Sequence, residues 1–406
     1  MGARKIIMWT LLAMLITGGV LIIYFLTSTN SMGGVIDMFF GISRVYEVND
    51  IKEFDPGSIR KIEISVSSTD TNLRMVDSPK VKASLTGIVR TNDPSFVPYI
   101  EAHVTGSTLR IKVKTKSSFF SGLYSSNVSM ELEIPQSFSG DLVLDGTSSR
   151  LTASELRFNS CSFTTSSGDI ILGSIDVDSA FTAGVTSGRV EVERLEAASA
   201  RLTASSGDTF LGVIELRDDF SADSTSGKII IDRLSAANAS LKNSSGNKKI
   251  AVMTVPGEVI IEGNSGTTTL DRISAGKLVI NSTSGDVNTG SAHSGHTTIK
   301  TTSGRISVKS FEGDADLSSS SGSITLVCDK PASTIQIECS SGSINLGLPD
   351  GTQFSLNAQI NSGSIKTDFA LDQSSASKKQ LQGSTGNGEL DISLKTTSGN
   401  IKITKI

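Results

Sequence analysis

The sequence predicts an all-β chain: a parallel β-helix, or β-solenoid, of about 19–20 residues per repeat, preceded by one N-terminal transmembrane helix and a β-rich leading domain. Three observations predict it. A Ser-Gly dipeptide recurs at near-constant spacing through most of the chain. Apolar and polar residues alternate at fixed offsets on both sides of that dipeptide. An uncharged apolar stretch long enough to cross a bilayer precedes everything else.

Composition agrees with this reading. The 406 residues hold 38 Gly, only 8 Pro and 5% aromatics, a bias that suits many short strands and tight turns. Charged residues make up 19% and the formal net charge is −4, so there is no basic surface of the kind that neutralises phosphates, and nucleic acid is not an expected partner. Cys161, Cys328 and Cys339 form neither an even framework nor a C-x-x-C pair and read as buried, inert thiols.

Residues 1–29 read as a signal anchor. From Ile6 to Leu26 the chain carries no charge, and 21 residues of helix span about 31 Å, close to the hydrocarbon thickness of a bilayer. Arg4 and Lys5 precede the span and the next basic residue is Arg44, which places the N-terminus in the cytoplasm and the C-terminal part outside a bacterial cell membrane. A cleaved signal peptide is the alternative, although the span is long for one and TSTNSMGG is a poor cleavage site. A linker occupies residues 30–44. Residues 45–140 form the leading domain, with period-two segments from Ile59, Leu109 and Val128 separated by polar or Pro-containing loops; it covers the open end of the solenoid.

The solenoid occupies residues 141–406. Its turns register on Ser167-Gly168, Ser187-Gly188, Ser206-Gly207, Ser226-Gly227, Ser245-Gly246, Ser265-Gly266, Ser284-Gly285 and Ser303-Gly304. They continue through Gly322, Gly342 and Gly363, with looser copies at Gly386 and Gly399. Apolar residues fall seven and five before the glycine, then two, four and often seven after it: Phe220, Ala222, Ile229, Ile231 and Leu234 around Gly227; Leu278, Ile280, Val287, Thr289 and Ala292 around Gly285. In strands this alternation sends one set inward, and stacking the repeats buries a continuous interior. The dipeptide reads as a structural corner in which glycine accepts positive φ and the serine hydroxyl bonds to turn backbone and to its neighbours along the stack.

The residue after each glycine, from Asp169, Arg189, Asp208 and Lys228 to Asp286 and Arg305, alternates in sign; if each copy is one coil, opposite charges stack. Arg194, Arg233 and Arg272 recur every 39 residues, which suggests as an alternative a coil of two copies with a turn on each side; that would stack Asp169 on Asp208, like charges, so the coil of one copy is favoured.

The anchor, the leading β-segments and the copies TSSGDI, TSGRV, SSGDT, TSGKI, TSGDV and TSGRI resemble a bacterial family of uncharacterised extracytoplasmic proteins labelled putative adhesins, over roughly residues 45–406. The resemblance implies a β-helical domain outside the cytoplasm, linked to envelope stress or surface interaction. It supplies no catalytic residues to carry over.

No catalytic, cofactor-binding or metal-binding residue is assigned. Glycan-cleaving β-helices need converging carboxylates and aromatic platforms for sugar rings. Here Trp9 is the only tryptophan, and Tyr46, Tyr99 and Tyr124 all precede the solenoid. His103 is isolated, and the H-x-x-H pair His293 and His296 has only Asp286 as a sequence-near third ligand, so it reads as a loop. Repeated calcium sites are not expected, because basic residues occupy alternate corners. The reading is therefore a non-enzymatic, membrane-anchored surface protein, an adhesin-like interaction or envelope-stress scaffold with an envelope-protein or cell-wall partner. The alternative is a polysaccharide lyase or hydrolase of the envelope. The last strand carries Lys402 and Lys405 and has no cap after it; such charges discourage edge pairing and predict a monomer or weak dimer.

Overall fold

A computed structural model describes residues 44–116 and 124–406. The expected anchor at 6–26 lies outside the described residues. Among the described residues there is no α-helix, and no helix is long and apolar enough to cross a membrane.

The chain forms two compact units. The described residues of the first are 44–51, 84–100, 114–116 and 124–129. It holds a single 3-10 turn, Pro94–Phe96, capped by Asp93, whose carboxylate accepts the Ser95 N–H at 2.8 Å. The Asp50 carboxylate accepts the Ile100 N–H at 2.7 Å.

The second unit comprises Lys52–Ala83, Glu101–Val113 and Met130–Ile406, and it is a parallel ladder. Before each corner, Cys161 pairs Phe181, which pairs Ala200, then Phe220, Ala239, Val259 and Leu278. After each corner, Ile170 pairs Val190, then Thr209, Ile229, Lys248, Thr268, Val287 and Ile306. Successive partners are 19 or 20 residues apart, so each Ser-Gly copy closes one coil and the 39-residue alternative is ruled out. The ladder also runs below residue 141: Lys61–Val66 pairs Asp141–Gly146 in parallel, with Ile62 on Leu142 and Ile64 on Leu144, and Thr71 pairs Leu151. Segments that the sequence reading placed in the leading domain thus supply early rungs, out of chain order.

The inward rows are the predicted ones. Phe220, Ala222, Ile229, Ile231 and Leu234 are all buried, as are Leu278, Ile280, Val287, Thr289 and Ala292. Phe163 and Phe181, one coil apart, meet edge to face with ring centroids 6.1 Å apart. Burying each such ring contributes about 2 kcal/mol. Cys161, Cys328 and Cys339 all point inward; burial pushes the Cys328 thiol up to about 12 and the other two upward, away from the reactive thiolate. One residue breaks the apolar row. Lys248 sits two residues after its corner glycine, between Ile229 and Thr268, with 1% of its surface exposed.

The far end departs from sequential stacking. Leu390–Ser398 lies between Ile324–Ser341 and Phe354–Ser362, parallel to both, and Ile401–Lys405 lies between Ile344–Leu348 and Ile365–Thr367. The final strand is therefore interior to the ladder, not an uncapped edge guarded by Lys402 and Lys405 as the sequence suggested. A hairpin of Asp372–Ala376 and Gln380–Ser384 instead covers the outer side of Phe354–Ser362, antiparallel to it.

Candidate functional site

Stacking of the coils brings all eight predicted Ser-Gly corners into one column, and the geometry reassigns what each residue does there. Positive φ is not the reason for most of the glycines. Within Gly168 to Gly304 only Gly266 adopts it, at 99°. The requirement is close approach: a Cβ on Gly188, Gly207, Gly227 or Gly304 would fall 1.8, 1.6, 1.7 or 2.0 Å from the carbonyl oxygen of the corner glycine one coil earlier. No side chain fits at those separations, so each glycine is dictated by the coil beneath it.

The serines are reassigned too. Ser167, Ser187, Ser206, Ser226, Ser245, Ser265, Ser284 and Ser303 are exposed. They join the stack through backbone, as when the Ser187 N–H donates to Ser166 at 2.8 Å and the Ser206 N–H to Thr186 at 2.8 Å. Their hydroxyls bond to no other described residue.

At five of the eight corners a side chain three residues before the glycine holds the turn; at Gly188, Gly207 and Gly266 that position is Val185, Ala204 and Gly263. Thr165, Ser224, Ser282 and Thr301 accept the N–H of their own corner glycine through hydroxyls, at 3.2, 3.2, 3.1 and 2.9 Å. Asn243 does so through its amide oxygen at 2.8 Å and donates its amide N–H to Gly227 of the previous coil at 2.6 Å. Ser319 and Thr396 donate to the corner carbonyl of a neighbouring coil, Gly304 and Gly342. Sequence reasoning missed this row, whose signal, Thr, Ser or Asn three before the glycine, is interrupted by Val185, Ala204 and Gly263.

The alternating charges after the glycine also act on backbone. Asp169, Asp208 and Asp286 accept the backbone N–H of Arg189, Lys228 and Arg305 on the next coil at 3.0, 2.8 and 2.8 Å. Asn247 does the same for Thr267 at 2.9 Å. An uncharged amide serves equally, so the acceptor, not the sign, is what the stack selects.

Beside this column runs a polar surface walled by two outward rows, four and two residues before each glycine. Those rows enclose three concavities, of 480 Å³ near Thr164, Thr203 and Thr225, 360 Å³ near Asn264, Asn281 and Lys300, and 230 Å³ near Ser318, Ser340 and Lys395. Gly184 opens the first by leaving its wall without a side chain. Ion pairs link successive coils at the row four before the glycine: Lys242 with Glu262 at 3.2 Å within it, and Asp223 with Arg201, six before its own glycine, at 3.3 Å. The row two before the glycine, Ser166, Thr186, Ser205, Thr225, Ser244 and Asn264 onward, is a series of hydroxyl and amide groups repeating at the strand spacing of about 4.8 Å, while the row four before it mixes charged and polar groups.

The histidines do not converge with Asp286. His293 Nδ1 faces Glu312 at 2.9 Å, His296 is in register with Asp314, and the Asp314 carboxylate accepts the N–H groups of Ser333 and Thr334. Among the described residues no group of three His, Cys, Asp or Glu side chains is placed to hold a metal. The displaced carboxylates, Glu53, Glu63, Asp93 and Asp350, are all held low, by Lys80, by Lys61 with Arg110, by the Ser95 N–H and by Lys405 respectively. None of these is raised into the range of a general acid.

The family described as Toastrack DUF4097 matches the chain twice, over residues 59–251 and 235–404. No curated protein matches. Among solved structures, a putative cell adhesion protein from Clostridium sporogenes is 8% identical with a TM-score of 0.22, covering 89% of this chain and 100% of its own. A putative adhesin from Parabacteroides distasonis is 10% identical with a TM-score of 0.24, covering 90% and 98%. A putative lipid binding protein, also from Parabacteroides distasonis, is 15% identical with a TM-score of 0.22, covering 88% and 96%.

Proposed function

The chain belongs to the Toastrack DUF4097 family, and from that premise we propose that it is a non-enzymatic, membrane-anchored surface protein whose solenoid is a docking platform for a cell-wall or envelope partner. The observation that carries the reading is the exposed hydroxyl array. Serine precedes every corner glycine from Gly168 to Gly304, yet its side chain bonds to nothing within the described chain. The polar row two residues before the glycine is exposed or half-exposed over the same coils. Buried geometry explains the glycines; it does not explain the serines. A repeating partner that accepts and donates hydrogen bonds along an extended surface does.

Placement rests on the sequence: the uncharged span at 6–26 with Arg4 and Lys5 before it puts the solenoid outside the cytoplasm. The lyase or hydrolase alternative draws no support from the lowered carboxylates, and Tyr46, Tyr99 and Tyr124 all belong to the first unit, not to the hydroxyl rows.

Co-sedimentation with purified cell-wall material, and capture from envelope extracts, test the proposal. Replacing Thr186, Ser205 and Thr225 together by alanine is expected to weaken binding about tenfold or more, while the melting temperature moves by no more than about 2 °C. Unchanged binding by the triple variant contradicts the platform, and release of oligosaccharide from the glycan establishes the enzyme reading in its place.

A further inference from the structure

The strands inserted at the far end occupy a slot whose two walls already match each other. Ile392 pairs Ile335 on one side and Leu356 on the other; Leu394 pairs Ile337 and Ala358; Ile401 pairs Ile344 and Ile365. From Ile335 to Leu356 and from Ile344 to Ile365 is 21 residues, close to one ordinary coil. With the inserted strands absent, Phe354–Thr367 would therefore stand in register to stack directly on Ile324–Leu348 as the next coil. One rung can enter or leave here without shifting any row, whereas elsewhere in the regular run each rung is tied into the chain on both sides.

Entry is selective. Gly399 sits in the glycine column, where a Cβ would meet the carbonyl oxygen of Gly342, and a Cβ on Gly363 would in turn meet that of Gly399. Thr396 donates its hydroxyl to Gly342 at 3.0 Å. Leu390, Ile392, Leu394, Ile401 and Ile403 are buried between the walls. An occupant thus needs an alternating apolar strand, a hydroxyl three residues before a corner glycine, and a second alternating strand. The connection is a short turn in which Gly386 and Gly388 both adopt positive φ, 59° and 70°. It is a hinge of the sort through which identical elements are exchanged between copies.

We propose that residues 390–405 are an exchangeable rung and that the partner of this end is a second copy of the chain, each copy placing its own residues 390–405 in the slot of the other. Every contact in the slot is then reproduced between copies, and only the hinge changes. This interaction is independent of the hydroxyl rows.

Two full-length preparations carrying tags of different size, mixed and incubated at raised concentration, test it by native mass spectrometry. Mixed dimers are expected, and an excess of a synthetic peptide of residues 389–406 is expected to suppress them by occupying the slot. The same peptide with Gly399→Val, which keeps the apolar pattern but cannot stack on Gly342, is expected to be about tenfold or more weaker as a suppressor. Absence of mixed dimers overturns the proposal, as does equal suppression by the two peptides, which would mean that the slot is not what the peptide blocks.

Discussion

Gly207→Ala is expected to destabilise the solenoid by about 4 kcal/mol, while Ser206→Ala, its immediate neighbour, changes stability by less than about 0.5 kcal/mol. The contrast arises at the corner. A methyl at Gly207 would be placed 1.6 Å from the Gly188 carbonyl oxygen and 3.1 Å from Val185, and neither can retreat without breaking the rung beneath. The Ser206 hydroxyl is exposed and bonds to no described residue, so its loss leaves the fold as it was. Urea unfolding monitored by far-UV circular dichroism checks both. Because solenoids couple mainly to nearest neighbours, the glycine variant is expected to melt locally before the rest. If the serine substitution proved the more costly, the division of labour between the two residues would be wrong.

Lys248→Met is expected to stabilise the protein by about 3 kcal/mol at pH 7, with the gain shrinking as the pH is raised. Lys248 is 1% exposed, its amine has no ion-pair or hydrogen-bond partner among the described residues, and burial alone lowers its pKa from 10.5 to about 8. Gly263, later in the same coil, leaves room for the amine: a Cβ there would lie 2.5 Å from Nζ. Between about pH 8 and 10.5 the unfolded chain holds this proton and the folded chain does not, so stability of the unmodified protein rises across that window and is flat with respect to this group below it. Methionine fills similar volume without a charge and removes the rise. Parallel unfolding curves for the two proteins from pH 7 to 11 would contradict the assignment.

The inward rows were legible because period-two alternation is a local signal, and every residue named for Gly227 and Gly285 is buried. Coil length was legible through charge: a coil of two copies, which the 39-residue recurrence of Arg194, Arg233 and Arg272 allowed, would have stacked Asp169 on Asp208, and the one-copy coil favoured on that ground is the one observed. The glycine was recognised as a corner but explained by its own φ, whereas its cause lies in the carbonyl of Gly168, Gly188 or Gly207 one coil away. The same distance hid the roles of Asn243 and Asp208, whose partners are Gly227 and Lys228. The exchanged order at the end was invisible for a further reason: Leu356 and Ile392 both satisfy the row begun by Ile335, so pattern alone allows either to come next. The sequence directed the search for function to outward polar positions, which is where the proposed platform lies. The corner serines join that proposal because they are exposed and their hydroxyls bond to no described residue.

The central claim, that each Ser-Gly copy closes one coil of a single stack, is tested most directly by the distance between spin labels placed at Thr186 and Thr302, two exposed residues of the same row. Six coils separate them, which at about 4.8 Å per rung predicts about 29 Å by pulsed electron resonance. A coil of two copies would place them three rungs apart, and a distance near about 14 Å would contradict the account.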